Sequence, residues 1–255
     1  MPRLVLIHAV SLLLLLLGMN CFTTAGTTIV SSNAPPTKNT TGNGWKAYCE
    51  GQCNPVGNMT KAPVYGGGSV FMGGGTDVTD AFKQQIQWLS GGDFLILRSD
   101  DDNGYNDWIY TTLGGVRSVT SLIVFTKEAA NDPQAVAFLA AADAIFIAGG
   151  DQSQYYAFWQ GTAIQTELDK ARGQSSIGGT SAGCMVLSNH VYTASDPNGG
   201  DLSSKTALRD PYNAAVTIAP GFINLTNVNG HVILDTHFKV RDRFGRLLTF
   251  VSRLW

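Results

Sequence analysis

The sequence predicts an α/β fold, a mostly parallel sheet with helices on both faces, and three observations carry that expectation. Short apolar runs alternate with amphipathic stretches, in the order 69–72 then 78–89, 94–97, 121–125 then 133–142, and 144–148 then 155–172. Strands that cross over through helices into a parallel sheet produce this alternation. Glycine-rich turns, Gly73-Gly74-Gly75 and Gly149-Gly150-Asp151-Gln152, follow two of those runs, at the strand ends where open α/β sheets bind ligands. Finally, Gly179-Thr180-Ser181-Ala182-Gly183 frames one serine with small residues, as in a sharp strand-to-helix elbow that exposes a nucleophile. Residues 174–177 lead into it after a predicted helix over 162–172, and 184–187 form the first turn of the helix that leaves it.

Composition narrows the classes of function. The 255 residues are 44% hydrophobic and 14% charged, enough for one sizeable core under a weakly charged surface. Seventeen Lys and Arg against nineteen Asp and Glu leave a net charge of -2, which suggests neither a nucleic-acid footprint nor a basic membrane patch. No glycine turn has a lysine in P-loop register or the full dinucleotide fingerprint, and no H-E-x-x-H or clustered Cys/His set offers a metal site. Small-molecule or peptide chemistry without a cofactor is the expectation.

The N-terminus predicts export. Arg3, the leucine run 12–17 and the small residues Thr23-Thr24-Ala25 have the order of a signal peptide over 1–25, with maturation near Gly26. The apolar stretch is shorter than the roughly 20 residues of a spanning helix. Three Asn-x-Thr acceptors, at Asn39, Asn58 and Asn224, suit a glycosylated secreted product. Cys21 leaves with the signal, Cys49 and Cys53 are spaced to bridge in an oxidising compartment, and Cys184 is expected to be a buried apolar residue. Residues 26–62, rich in Thr, Ser, Asn, Gly and Pro, are expected to form a flexible leader before a domain over 63–255.

A serine nucleophile needs a base, and the mature chain offers His190, His231 and His237. His237 is preferred, because Asp235 and His237 lie two apart near the end of a predicted 232–234 strand and would face one side. His190 reads as a surface position past the elbow helix, and His231 as a loop residue or the first of that strand. Arg241, Arg243 and Arg246 fall on a predicted amphipathic helix whose Leu247, Phe250, Val251 and Leu254 make the buried stripe. Those arginines either grip a substrate carboxylate or are solvated and paired with local acids such as Asp242.

Over residues 63–255 the chain resembles the cyanophycinase family, which belongs with peptidase E among serine peptidases on a class I glutamine-amidotransferase-like, flavodoxin-like fold. The resemblance rests on Gly73-Gly74-Gly75, Arg98 with Tyr105, Glu128-Ala129-Ala130-Asn131, the run from Ala144 to Gln152, Gly178 to Gly183, and Asp235-Thr236-His237-Phe238 followed by Arg241, Arg243, Gly245 and Arg246. It implies hydrolysis of aspartyl-containing peptides, with Ser181 attacking, His237 as the base, and no cofactor. Ala182 and Gly150 are the expected oxyanion donors, and Gln152 is expected to orient the substrate. The family's pocket residues fall on Asp235, Arg241, Arg243 and Arg246, so Arg241 and Arg246 are the favoured binders. A peptide is the expected partner, and a homodimer is compatible with this reading.

Two departures keep alternatives open. The family's acidic triad member is a glutamate beyond the arginine helix, and the sequence stops at Trp255 before such a segment, so the domain is expected to be C-terminally incomplete. Thr236 stands where cyanophycin-degrading members carry glutamine. The alternatives are a catalytically impaired binding protein that retains the pocket, and an esterase of the α/β-hydrolase type; the second would share the elbow but not the Gly149 turn or the arginines.

Overall fold

The computed structural model describes residues 38–53, 68–196, 201–223, 225 and 232–255. The signal segment, Asn58, Asn224 and His231 lie outside the described residues.

Five strands form the parallel heart of the molecule: β3 (Ser69–Met72), β4 (Asp93–Arg98), β5 (Ser118–Val124), β6 (Ala144–Ile147) and β7 (Ser176–Thr180). They lie side by side in the order β5-β4-β6-β7-β3. Each is an apolar or small-residue run because both faces of its sheet are covered. Alternate residues feed two cores. Leu95, Leu97, Leu122, Ile145, Ile147 and Ile177 point to one face, against α3 (Pro133–Ala141), α4 (Gln152–Trp159) and α5 (Ala163–Ala171). Val70, Phe94, Ile96, Val119 and Phe146 point to the other, against Phe82, Ile86 and Leu89 of α1 (Thr79–Leu89). The architecture is therefore the mostly parallel, doubly covered α/β sheet expected from the sequence.

Local chemistry fixes the helix starts. Asp132 accepts from the Gln134 amide at 2.8 Å with Pro133 at the first helical position of α3, and Asp151 accepts from the Ser153 amide at 2.8 Å ahead of α4. Both are side-chain N-caps on otherwise orphaned donors. The predicted 155–172 stretch is two helices, because Gly161 takes φ +70° between them, a left-handed turn that no helix continues through.

The flexible leader expected over 26–62 is contradicted within 38–53. β1 (Lys38–Gly42) and β2 (Trp45–Gly51) form an antiparallel hairpin on the outer edge of β5. Its turn is Asn43-Gly44, with Gly44 at φ +78°, the favoured chemistry for a two-residue hairpin. β2 buries Trp45, Ala47, Cys49 and Gly51 in strict alternation, and the Trp45 indole donates to Asp132 at 2.9 Å. Asn39 is exposed on β1, and Cys49 is bonded to Cys53. Cys184 is a free buried thiol. Thiol labelling of the denatured, unreduced protein should therefore find Cys184 reactive and Cys49 and Cys53 silent; labelling of all three would remove the bridge.

After β7 come α6 (Ala182–Met185), a small sheet of β8 (His190–Tyr192) and β9 (Ile218–Pro220), α7 (Ser204–Arg209) and α8 (Phe244–Leu254). Tyr192, Leu202, Ala207, Val216 and Phe250 close a third core beneath them. The arginine helix begins only at Phe244, so Arg241 and Arg243 precede it. Among the described residues no helix is long and apolar enough to cross a membrane.

Candidate active site

The chain leaves β4 for β5 on one side and returns to β6 on the other. That reversal opens a crevice at the carboxyl ends of β4 and β6, the position where doubly wound sheets bind ligands. A cleft of about 690 Å³ lies there, lined by Arg98 at the end of β4, Ala148 and Gly149 after β6, Thr180 at the end of β7 and Ser181 after it. His237 closes one side, and Asp77, Asp102, Tyr105 and Trp108 the other.

Ser181 stands where the strand turns into α6, with φ 52° and ψ -122°. A non-glycine residue there is strained, as held nucleophiles in elbows are. Close packing of the flanking backbone enforces the turn: a Cβ on Gly183 would lie 2.1 Å from the Ile147 carbonyl oxygen. The Ser181 amide donates to the Met72 carbonyl at 3.2 Å, tying the elbow to β3.

Ser181 Oγ is 2.7 Å from His237 Nε2, within reach for proton transfer. The route by which the histidine arrives differs from the expectation. The expected 232–234 strand is reduced to one bridge, Ile233 to His190, the chain is irregular over 235–237, and His237 takes φ 51°, so Asp235 and His237 do not share a face. Asp235 turns inward to the arginines, while the ring of His237 swings to Ser181. The His237 amide donates to the Gly73 carbonyl at 2.6 Å, and a Cβ on Gly74 would fall 2.5 Å from Nε2. The glycine turn after β3 is thus the seat of the imidazole rather than a phosphate cradle.

Burial, followed by the charges of Arg241 and Arg243, holds the His237 imidazole below its ordinary pKa. A lowered pKa keeps the ring neutral, and so able to accept a proton, to more acidic pH. The acid limb of kcat/KM should consequently lie below the usual histidine value of about 6.5, and Arg241→Gln should move it upward. An acid limb above 6.5, or one unmoved by that substitution, would contradict this field. Cys184 offers no rival nucleophile: burial pushes its thiol up to about 12, leaving it protonated at neutral pH.

Of the two expected oxyanion donors, one adjoins the serine in the chain. Ala182 begins α6, directly after Ser181. The Tyr155 hydroxyl donates to the Gly149 carbonyl at 2.9 Å, and in a trans peptide the Gly150 N–H then points the opposite way. Gly149, rather than Gly150, is the glycine that abuts the Ser181 side chain.

The arginine assignments need correction. Arg246 is fully buried, donates through Nε to Asp235 at 2.8 Å, and through Nη2 pairs with the other oxygen of the same carboxylate. Its Nη1 bonds Asp201, and the guanidinium lies 4.8 Å over the Tyr192 ring. Arg243 donates to the Thr236 carbonyl at 2.8 Å and to Asp201 at 2.6 Å. Asp235, Arg243 and Arg246 are therefore buried in one another, because an unpaired charge there would be costly, and none lines the cleft. Arg241 is half-exposed, 3.7 Å from Asp201, and Gln152 is the first residue of α4; both lie outside the cleft lining.

Conversely, Asp77 and Asp102, which no sequence motif marks, line the cleft together with Arg98 and Tyr105. Arg98 carried a legible signal, a charged residue ending an apolar strand at the ligand edge of the sheet. Asp77 and Asp102 carried none, since they sit on irregular segments. Among the described residues no cluster of His, Cys, Asp and Glu could hold a metal ion.

A strained serine paired with a histidine at the ligand edge of a doubly wound sheet is the geometry that serine hydrolases use. The model of peptidase family S51 matches residues 98–209, and the chain is similar in sequence to cyanophycinases. It is 31% identical to a cyanophycinase of Synechococcus elongatus over 140 residues, 54% of this chain and 39% of that protein. It is 31% identical to one of Nostoc sp. over 141 residues, 54% of this chain and 42% of that protein. The aligned region thus spans about two fifths of these curated relatives. A crystal structure of a peptidase from an acI-B1 Actinobacterium is similar at 20% identity, TM-score 0.46, covering 73% of each chain.

Proposed function

We propose that this chain is a serine-type peptidase that cleaves aspartyl-containing peptides through an acyl-enzyme and is exported from the cell that makes it. The observation that carries the chemistry is the 2.7 Å contact between Ser181 Oγ and His237 Nε2 at a strained elbow. As Ser181 Oγ bonds to the amide carbon, its proton passes to Nε2, and the carbonyl oxygen becomes an oxyanion facing the Ala182 and Gly150 amides. The C–N bond then breaks, and the proton on Nε2 goes to the departing amine. Water repeats the sequence on the ester, releasing the acid and restoring Ser181. The match to the peptidase S51 model and the similarity to cyanophycinases support a peptide substrate, and the signal-like N-terminus supports export.

One observation favours a slower enzyme as the second reading: among the described residues no carboxylate bonds the other ring nitrogen of His237. Loss of such an orienting acid costs about 10⁴-fold in kcat. A fluorophosphonate probe tests the main reading directly. One phosphonyl group should add to Ser181, located by intact mass and peptide mapping, and His237→Ala should slow the labelling by about 10²-fold or more. Labelling at another residue, or labelling indifferent to His237, would refute it.

A further inference from the structure

We propose that Arg98 is the specificity-determining residue of this cleft: it takes a substrate carboxylate carried one or two residues from the scissile bond, and Asp102 holds that place until the substrate arrives. The proposal rests on the reading of Ser181 and His237 as the hydrolytic pair and adds what the cleft recognises.

Arg98 is the one lysine or arginine among the described residues lining the cleft, and it is 8% exposed. It shares a face of β4 with the buried Phe94 and Ile96, so its guanidinium is held at the top of the core and directed into the crevice. Its only hydrogen bond among the described residues runs from Nη1 to Asp102 at 2.6 Å, and its buried Nε has no partner. Two other arginines of this chain show what a satisfied fork looks like. Arg117 and Arg246 each place Nε and Nη2 on the two oxygens of one carboxylate, Asp93 and Asp235 respectively. That side-on pairing is the strong geometry for a guanidinium, and Arg98 lacks it, holding only the Nη1 bond to Asp102.

Asp102 is a fitting placeholder rather than a permanent partner. Its side chain is 54% exposed, with one oxygen accepting from Arg98 Nη1 at 2.6 Å and the other from the Gly104 amide at 2.7 Å. The other acid of the lining, Asp77, is engaged by the Tyr105 hydroxyl at 2.7 Å. A carboxylate entering the cleft therefore meets one guanidinium, bonded to a single exposed side chain.

The register sets the distance. Leu97 pairs with Ile147, and Ile147 with Gly179, which puts Arg98 level with Thr180, two strands from the serine's strand. Two strand spacings are roughly 10 Å, about three extended residues, and the arginine side chain covers part of that span. A free α-carboxylate or an acidic side chain, one or two residues from the scissile bond, has the right reach.

The test is calorimetric binding of four peptides to Ser181→Ala protein, which cannot turn them over: Asp-Leu-Leu as the free acid, its C-terminal amide, Asp-Asp-Leu amide and Asp-Lys-Leu amide. The first or the third should bind about tenfold to a hundredfold tighter than the neutral amide, and which one does so tells an α-carboxylate from an acidic side chain. Adding Arg98→Gln should erase the difference. Adding Asp102→Asn should tighten the carboxylate peptide and leave the neutral amide unchanged, an opposite effect that does not depend on Arg98→Gln folding. Equal binding of all four, tightest binding of the lysine peptide, weaker carboxylate binding in Asp102→Asn, or no binding at all would overturn the proposal. Because the readout needs no hydrolysis, its outcome is separate from that of phosphonate labelling.

Discussion

Ser181→Ala is expected to lower kcat on an aspartyl peptide by about 10⁶-fold, the loss typical when the nucleophile of a serine–histidine pair is removed, with the fold intact. The physical basis is the single hydroxyl 2.7 Å from Nε2, since nothing else in the cleft can replace it: the Cys184 thiol is buried and held protonated. A companion substitution separates chemistry from strain. Ser181 sits at φ 52° and ψ -122°, a conformation that costs a non-glycine residue energy and a glycine almost none. Ser181→Gly should be equally inactive yet melt above Ser181→Ala, by about 1 kcal/mol of stability. An active Ser181→Ala protein would require another nucleophile, and a glycine variant less stable than the alanine variant would remove the strain argument.

Asp235→Asn should destabilise the fold by about 3–5 kcal/mol, the usual loss when one member of a buried ion pair is removed. Both side chains of the Asp235–Arg246 pair are fully buried, and the guanidinium also lies over the stacked rings of Tyr192 and Phe250. For a domain of this size that corresponds to a fall in Tm of roughly 10 °C. Arg241→Lys, at a half-exposed position facing Asp201, should change stability by less than about 1 kcal/mol. Thermal melts of both variants with a urea titration decide the matter. A normal melt for Asp235→Asn accompanied by a raised KM would return Asp235 and Arg246 to the substrate pocket, where the sequence had put them.

The sequence carried the sheet and the nucleophile because both are local. A parallel strand covered on both faces must be an apolar run, so 94–97 and 144–148 were visible as such, and the elbow at Ser181 needs its small neighbours within two residues. The Asn43-Gly44 hairpin was equally local but was hidden by its polar composition; the alternation Trp45, Ala47, Cys49 beside an Asn-Gly turn was the signal that distinguished it from a loose leader.

What the sequence by itself determined about this protein is therefore the order of its parallel strands, the α/β layering and the identity of the serine and histidine that meet. Which way Asp235 and His237 point was decided only in the tertiary structure, because a positive φ at His237 cancels the two-residue alternation that equates their faces. The arginines followed the same logic. A sequence can place Arg98, Arg243 and Arg246 on their segments, but whether a guanidinium is used up on Asp235 and Asp201 or lines the cleft depends on how distant parts of the chain come together. Charge pairing in a core is set by which groups are buried together, and only the folded chain specifies that.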